Sequence, residues 1–207
     1  MIIKVCGMRD AENIRAAESL GIDWMGFICW PKSPRNVEAR PSYLPQCKRI
    51  GVFVDAELDY IKSQVALLDL QRLQLHGHET PERCLEIQEQ TGLPITKAIS
   101  VLTRDDILKA EAYEGIADHI LFDTKCKCVG GSGEQFDWDI LQHYHGTLPF
   151  LLAGGIGPGD EQRVLSYRHP RFAGIDLNSR FETSPAMKDI SQLKQFIQNI
   201  RKIITEK

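Results

Sequence analysis

No stretch of this chain is apolar for the roughly 18 residues that a membrane helix needs. Nor does the N-terminus carry a charged region followed by an apolar core, because Arg9, Asp10 and Glu12 interrupt it. An excess of basic charge is missing as well: 25 Lys and Arg face 28 Asp and Glu, giving a formal net charge of -3. That balance supplies no overall positive field for nucleic acid or an anionic membrane, while small anionic ligands remain compatible with it. The cysteines Cys6, Cys29, Cys47, Cys84, Cys126 and Cys128 have irregular spacings, and a chain of 207 residues does not need disulfide staples. Reduced thiols are expected. Low-complexity linkers are absent too. We therefore expect a soluble, unprocessed, cytoplasmic protein that is one domain over residues 1–207 and takes a small-molecule partner, with no nucleic acid and no membrane.

What is present is alternation. Ile2 to Val5 reads as a buried strand, closed by Cys6 and Gly7, and Asp10 is placed to cap a helix running to Leu20 through Ile14 and Ala17. Trp24 to Ile28 is a second strand, followed by a loop holding Pro31, Ser33, Pro34 and Arg35 and a polar segment from Val37 to Tyr43. Further strands are expected at Arg49 to Val54, Arg72 to Leu75, Pro94 to Ile99, His119 to Phe122, Pro149 to Ala153 and Phe172 to Leu177. Between and after them, helical spacing covers Glu57 to Leu68, Pro81 to Gln90 behind the cap Thr80, Thr103 to Ala112, Asp137 to Tyr144, Gly159 to Tyr167, and Ile190 to Ile204.

Eight short apolar strands, repeating roughly every 20 to 30 residues with helical segments between them, suit a parallel sheet covered by helices. Eight such units close into a (β/α)₈ TIM barrel, compact beside the usual ~250 residues; an open doubly wound α/β sheet uses the same units. In a barrel, function sits where strands end. Those ends collect Cys6, Asp55, His76, Asp123 and Asp176, with Arg35 in the second loop. A cysteine beside Val5 equally suits simple core packing. Gly154-Gly155-Ile156-Gly157 follows the seventh strand directly, so exposed N–H groups there could hold a phosphate, with Asn178 and Ser179 offering donors after the eighth. The run Gly130-Gly131-Ser132-Gly133 is a third small-residue stretch on that face, with Gly131 a candidate for the same phosphate.

Several of these segments together resemble one family. Lys4-Val5-Cys6-Gly7, Ser33-Pro34-Arg35, Gly51-Val52-Phe53-Val54, Gln74-Leu75-His76-Gly77, Leu121-Phe122-Asp123, Gly131-Ser132-Gly133 and Leu152-Ala153-Gly154-Gly155-Ile156 are similar, in order, to phosphoribosylanthranilate isomerase of tryptophan biosynthesis. The resemblance implies an Amadori rearrangement of a phosphoribosyl substrate by general acid and base, with no cofactor. It implies Cys6 as base, Asp123 as acid, Arg35 as a bidentate contact to the anthranilate carboxylate, and His76 and Asp176 lining the pocket. Arg180 stands where that family commonly has glycine; it could add a phosphate contact or swing to solvent.

Two other readings use the same residues. A different phosphosugar barrel would keep the phosphate site but should carry a strand-1 Asp or a catalytic Lys where this chain has Cys6. A noncatalytic phosphate- or metal-binding barrel could use Cys6, Cys29 and His76 as ligands. Cys126 and Cys128 have no second pair at zinc-finger spacing, so no metal is expected. No motif chooses between a monomer and a homodimer.

Overall fold

Apolar runs of four to seven residues, too short for helices and rich in Ile, Val, Leu and Phe, form the strands. In this computed structural model, which describes residues 1–124 and 138–205, eight of them pair in parallel and close into a barrel in chain order. They are β1 (Ile2–Cys6), β2 (Trp24–Ile28), β3 (Lys48–Phe53), β4 (Arg72–Leu75), β5 (Ile95–Val101), β6 (His119–Thr124), β7 (Phe150–Ala153) and β8 (Phe172–Leu177). β1 closes the ring between β8 and β2, with Lys4 opposite Asp176 on one side and Trp24 on the other. The pairing of β1 with β8 closes the ring, which excludes the open sheet and yields the expected TIM barrel.

The helices start and stop where local chemistry dictates. α1 (Ala11–Glu18) begins where the Asp10 carboxylate accepts the Asn13 N–H at 2.8 Å. α2 (Leu58–Leu68) follows β3, and α3 (Pro81–Thr91) has Thr80 as its cap, Pro81 in its first turn and Gly92 at φ 67 behind it. α4 (Arg104–Leu108) tightens into a 3₁₀ turn at Lys109–Tyr113, and α5 (Glu161–Ser166) is short. α6 (Ile190–Thr205) buries Leu193, Phe196, Ile197 and Ile200, worth about 1.5–3 kcal/mol each against exposure.

The shell is thinner than alternation alone suggests. The crossover from β2 to β3 contains no helix, and its prolines at 31, 34, 41 and 45 remove the N–H groups a helix would need. The helix expected at 137–144 is a 3₁₀ turn, Trp138–His143. Aromatic packing fills this side instead: Phe122, Tyr144 and Tyr167 surround Phe150 at centroid distances of 5.2, 5.7 and 6.5 Å. After β8 comes an unexpected device, a 3₁₀ turn at Ser179–Phe181 followed by the antiparallel hairpin of β9 (Glu182–Ser184) and β10 (Met187–Lys188). Phe181 packs edge-on against Phe196 at 5.1 Å, which docks this segment onto α6. The glycine-rich stretch 130–133, including Gly131, and the pair Cys126 and Cys128 lie outside the described residues. Among the described residues, no helix is long and apolar enough to cross a membrane.

Inside the barrel, Trp24, Ile50 and Leu151 meet from β2, β3 and β7, so they touch across the lumen. Below them the floor is polar. Arg72 stacks over Trp24 at 5.0 Å and His119 meets the same ring edge-on at 5.2 Å. Burial, reinforced by Arg72, pulls His119 down to about 4, and its Nδ1 has no hydrogen-bond partner among the described residues. The folded protein therefore holds this imidazole neutral where the unfolded chain, at 6.5, takes up a proton. The stabilisation is complete above pH 6.5 and is lost as pH falls from 6.5 towards 4. Melting temperatures recorded from pH 7.5 to 4 should show this decline, and His119→Gln should flatten that part of the curve relative to wild type.

Candidate active site

Side chains alternate along each strand, so residues two apart share a face, and the inward set changes character towards the C-terminal ends. There it lines a cavity of about 340 Å³. Cys6 enters from β1, His76 from just past β4, Asp123 from β6, Asp176 from β8, and Gly154, Gly155, Asn178 and Ser179 from the turns after β7 and β8. Most of the residues singled out in the sequence thus border one space; Asp55 does not, its carboxylate instead accepting the His78 N–H at 2.6 Å. Arg35 does not line it, and Gly131 is outside the described residues. Ile28, Val52 and Val54 add an apolar wall, with Trp30 and Ser33 from the loop after β2.

Cys6 is buried, 3% exposed, at the end of β1. Room for its sulfur exists because position 26 is glycine: a Cβ there would stand 2.6 Å from the Cys6 Sγ. The next residue, Gly7, takes φ 77, and a Cβ on it would meet Asn178 Oδ1 at 2.8 Å and Arg35 Cδ at 3.0 Å. Two residues before Cys6 on the same face, Lys4 is 1% exposed and donates from Nζ to Asp176 Oδ2 at 2.8 Å. Burial works to deprotonate Lys4 but is outweighed by Asp176 and Cys6, so the ammonium is held above its ordinary range. Burial also pushes the Asp176 carboxyl up; the 2.8 Å contact with an ammonium is nevertheless the geometry of a charged pair. Among the described residues, Asp176 Oδ1 has no hydrogen-bond partner. For Cys6, burial pushes the thiol up while Lys4 and Lys188 draw it down, and the balance lies above its ordinary 9.0.

Across the cavity, Gln74 lies two residues before His76 and donates from Nε2 to His76 Nδ1 at 2.8 Å. The imidazole proton then sits on Nε2, which faces Asp123 Oδ2 at 3.4 Å. His76 and Asp123 are both half-buried at the mouth, open to a ligand. At the opposite rim Gly154 and Gly155 take φ 87 and 72, and a Cβ on Gly155 would meet none of the described residues within 4 Å. That turn is tied behind by the Gly157 N–H, which donates to Asp160 Oδ2 at 2.8 Å. Arg180 folds along it, its Nε 3.0 Å from where a Cβ on Gly157 would be, and lines the cavity.

Arg35 is carried by a loop that returns to β2, where the Val37 N–H donates to Ile28 O at 2.9 Å. Its guanidinium is held by Glu182, with Nε donating at 2.9 and 3.0 Å to the two carboxylate oxygens and Nη2 at 2.6 Å. Glu182 and its second partner Lys188 escaped the sequence reading. So did Gln74 and any role for Lys4, although both stand two positions before a strand-end residue already singled out. Among the described residues no three His, Cys, Asp or Glu side chains group as a metal site.

Comparison with known proteins points one way. Residues 3–199 match the family described as N-(5'phosphoribosyl)anthranilate (PRA) isomerase. The chain is 52% identical over 206 residues to the N-(5'-phosphoribosyl)anthranilate isomerase of Phocaeicola vulgatus, spanning 96% of this chain and 100% of that protein. The fold is similar to monomers generated from the dimeric phosphoribosylanthranilate isomerase of Thermotoga maritima, with TM-score 0.82, 29% identity, and 97% and 99% of the two chains covered. It is also similar to a phosphoribosyl anthranilate isomerase in complex with reduced 1-(o-carboxyphenylamino)-1-deoxyribulose 5-phosphate, with TM-score 0.81, 29% identity, and 98% and 100% covered.

The buried ion pair beneath Cys6 makes a stability test. Asp176→Asn leaves the Lys4 ammonium without its counter-charge, and breaking a buried pair from one side costs about 3–5 kcal/mol. Urea unfolding should show a loss of that order, whereas a change within about 0.5 kcal/mol, the size of an ordinary surface substitution, would contradict the pair's role.

Proposed function

The chain belongs to the N-(5'-phosphoribosyl)anthranilate isomerase family, and from that premise we propose that Cys6 and Asp123 carry the two proton transfers of its reaction. The enzyme catalyses the Amadori rearrangement of N-(5-phosphoribosyl)anthranilate to 1-(2-carboxyphenylamino)-1-deoxyribulose 5-phosphate in tryptophan biosynthesis. The observation that carries the residue assignment is that one cavity has a buried thiol from β1, a carboxyl from β6 and a glycine rim after β7.

In the proposed sequence Asp123 gives a proton to the ribose ring oxygen as the C1–O bond breaks, and the anthranilate nitrogen supplies the electron pair that makes a protonated Schiff base. The Cys6 thiolate then removes the C2 proton. The C2–H electrons form the C1–C2 double bond and neutralise the nitrogen, leaving an enolamine. Proton gain at C1 and loss from the C2 hydroxyl give the aminoketose. His76, with its Nε2 proton directed at Asp123, orients the acid. The phosphate is held by the backbone at Gly154 and Gly155 together with Asn178 and Ser179, with Gly131 as a further contact. Arg180 adds a cation to that end of the site in this chain. Arg35, which stands outside the cavity lining, would meet the anthranilate carboxylate through Nη1, the guanidinium nitrogen that Glu182 does not engage. A cytoplasmic setting is supported by the free thiols of Cys6, Cys29, Cys47 and Cys84.

Turnover is followed as the loss of phosphoribosylanthranilate fluorescence with purified protein. Cys6→Ser and Asp123→Asn should each lower kcat/KM by about 10²-fold or more, and unchanged turnover in both would overturn the assignment. Because the thiol titrates above 9.0, wild-type kcat/KM should climb from pH 7 to 9, a limb that Cys6→Ser should lack. Arg180→Gly should raise KM about tenfold and leave kcat unchanged, as removal of a ground-state phosphate contact requires.

A further inference from the structure

The hairpin formed by β9 and β10 brings a compact charge cluster to the end of β1. Glu182, its side chain 5% exposed, accepts from Arg35 through both oxygens and from Lys188 Nζ at 2.6 Å. The Lys188 side chain is 0% exposed and also donates to Asn178 Oδ1 at 2.8 Å. That Asn178 oxygen and the Arg35 Cδ are the two atoms that crowd the empty side of Gly7, one residue past Cys6, at 2.8 and 3.0 Å from its absent Cβ. The backbone of Lys188 is pinned separately: buried Asn13 on α1 accepts its N–H at 2.8 Å and donates to its carbonyl at 2.9 Å. One carboxylate therefore gathers a cation from the loop after β2, 147 positions away, and one from its own hairpin, leaving a net charge of +1 beside the thiol.

We infer that Glu182 is a positioning residue of this site: it fixes Arg35 and Lys188 as a pair of cations beside Cys6, so that the thiol loses its proton against charges already in place. The inference rests on the reading of Cys6 as the base. Among the described residues, the other titratable groups facing Cys6 are Lys4 and Asp176, paired from β1 and β8, His76 and Asp123 across the cavity, and the Cys29 thiol after β2, which burial and the proximity of Cys6 push up to about 12. Lys188 is the vulnerable member. Burial draws it below its ordinary range and Glu182 opposes that pull, so without the carboxylate the amine holds its proton less firmly, and Arg35 loses the partner that fixes it beside Cys6. Glu182 also accepts the Ala186 N–H at 3.1 Å, which ties the hairpin turn, so a purely structural role is the competing explanation.

The two are separated by the pH dependence of Cys6 alkylation with iodoacetamide, read by peptide mass spectrometry so that other cysteines do not interfere. Lys188→Met and Glu182→Gln should both move the midpoint up, by about one pH unit, and Lys188→Arg should bring it back towards wild type. A downward shift in Glu182→Gln means that the carboxylate acts only as a repelling anion, and an unmoved midpoint means that it acts only on the hairpin; either overturns the inference. Should Lys188→Met not fold, the isosteric Glu182→Gln decides alone. Failure of the underlying reading looks different: the alkylation midpoint moves as expected while the kcat/KM limb stays where it is in wild type.

Discussion

The contact on which the site depends is the buried ion pair between Lys4 and Asp176. It spans the seam where β1 closes the barrel against β8, and the register that places these residues opposite one another is the register that aligns Cys6 with the rim after β8. Two buried charges are expensive to dehydrate, and an apolar pair of the same volume would stabilise a barrel as well or better. What the ion pair provides instead is a fixed ammonium beneath a thiol that burial alone would keep protonated. The polar lumen follows from the same choice, since Gln74 and Thr96 are buried on the inward faces of strands that would otherwise carry aliphatic side chains.

Around that pair the barrel is uneven in a way that serves the site. Full helices back β1, β3 and β4, whereas the β2 to β3 crossover is a proline-broken loop and the side around β7 is closed by aromatic rings packed edge to face. Loops freed from the helical shell reach inward. The β2 loop delivers Arg35, the β7 turn presents backbone through Gly154 and Gly155, and the hairpin after β8 carries Glu182 and Lys188 under the strand ends. Rigid strands and adaptable loops thus divide the work: the strands hold the thiol and the carboxyls at set positions, and the loops bring charge to them.

Strand runs were legible because a short apolar run bounded by Gly, Pro or a capping residue has few other ways to bury itself; Trp24–Ile28, Arg72–Leu75 and Phe172–Leu177 fall where the pattern places them. Helix ends set by side-chain caps were equally legible, as at Asp10 and Thr80. Periodicity failed where packing, not propensity, decides. The segment at 138–143 has helical spacing but tightens into a 3₁₀ turn, and β9 and β10 are too short to carry any alternation. Strand-end residues such as Cys6, His76, Asp123 and Asp176 were readable as a rim once eight units were counted, and a step of two back along the same face leads to Lys4 and Gln74.

Eight βα units, the strand that ends in Cys6 and the glycines after β7 are properties of local sequence, because hydrophobic period, caps and turns act over a few residues. Pairing is not. That Lys4 meets Asp176, 172 positions away, and that Glu182 gathers Arg35 and Lys188 follows from barrel closure and from loops folding back across the strand ends. The charge around a thiol is a sum over neighbours in space, and chain order does not contain that sum until the ring has closed.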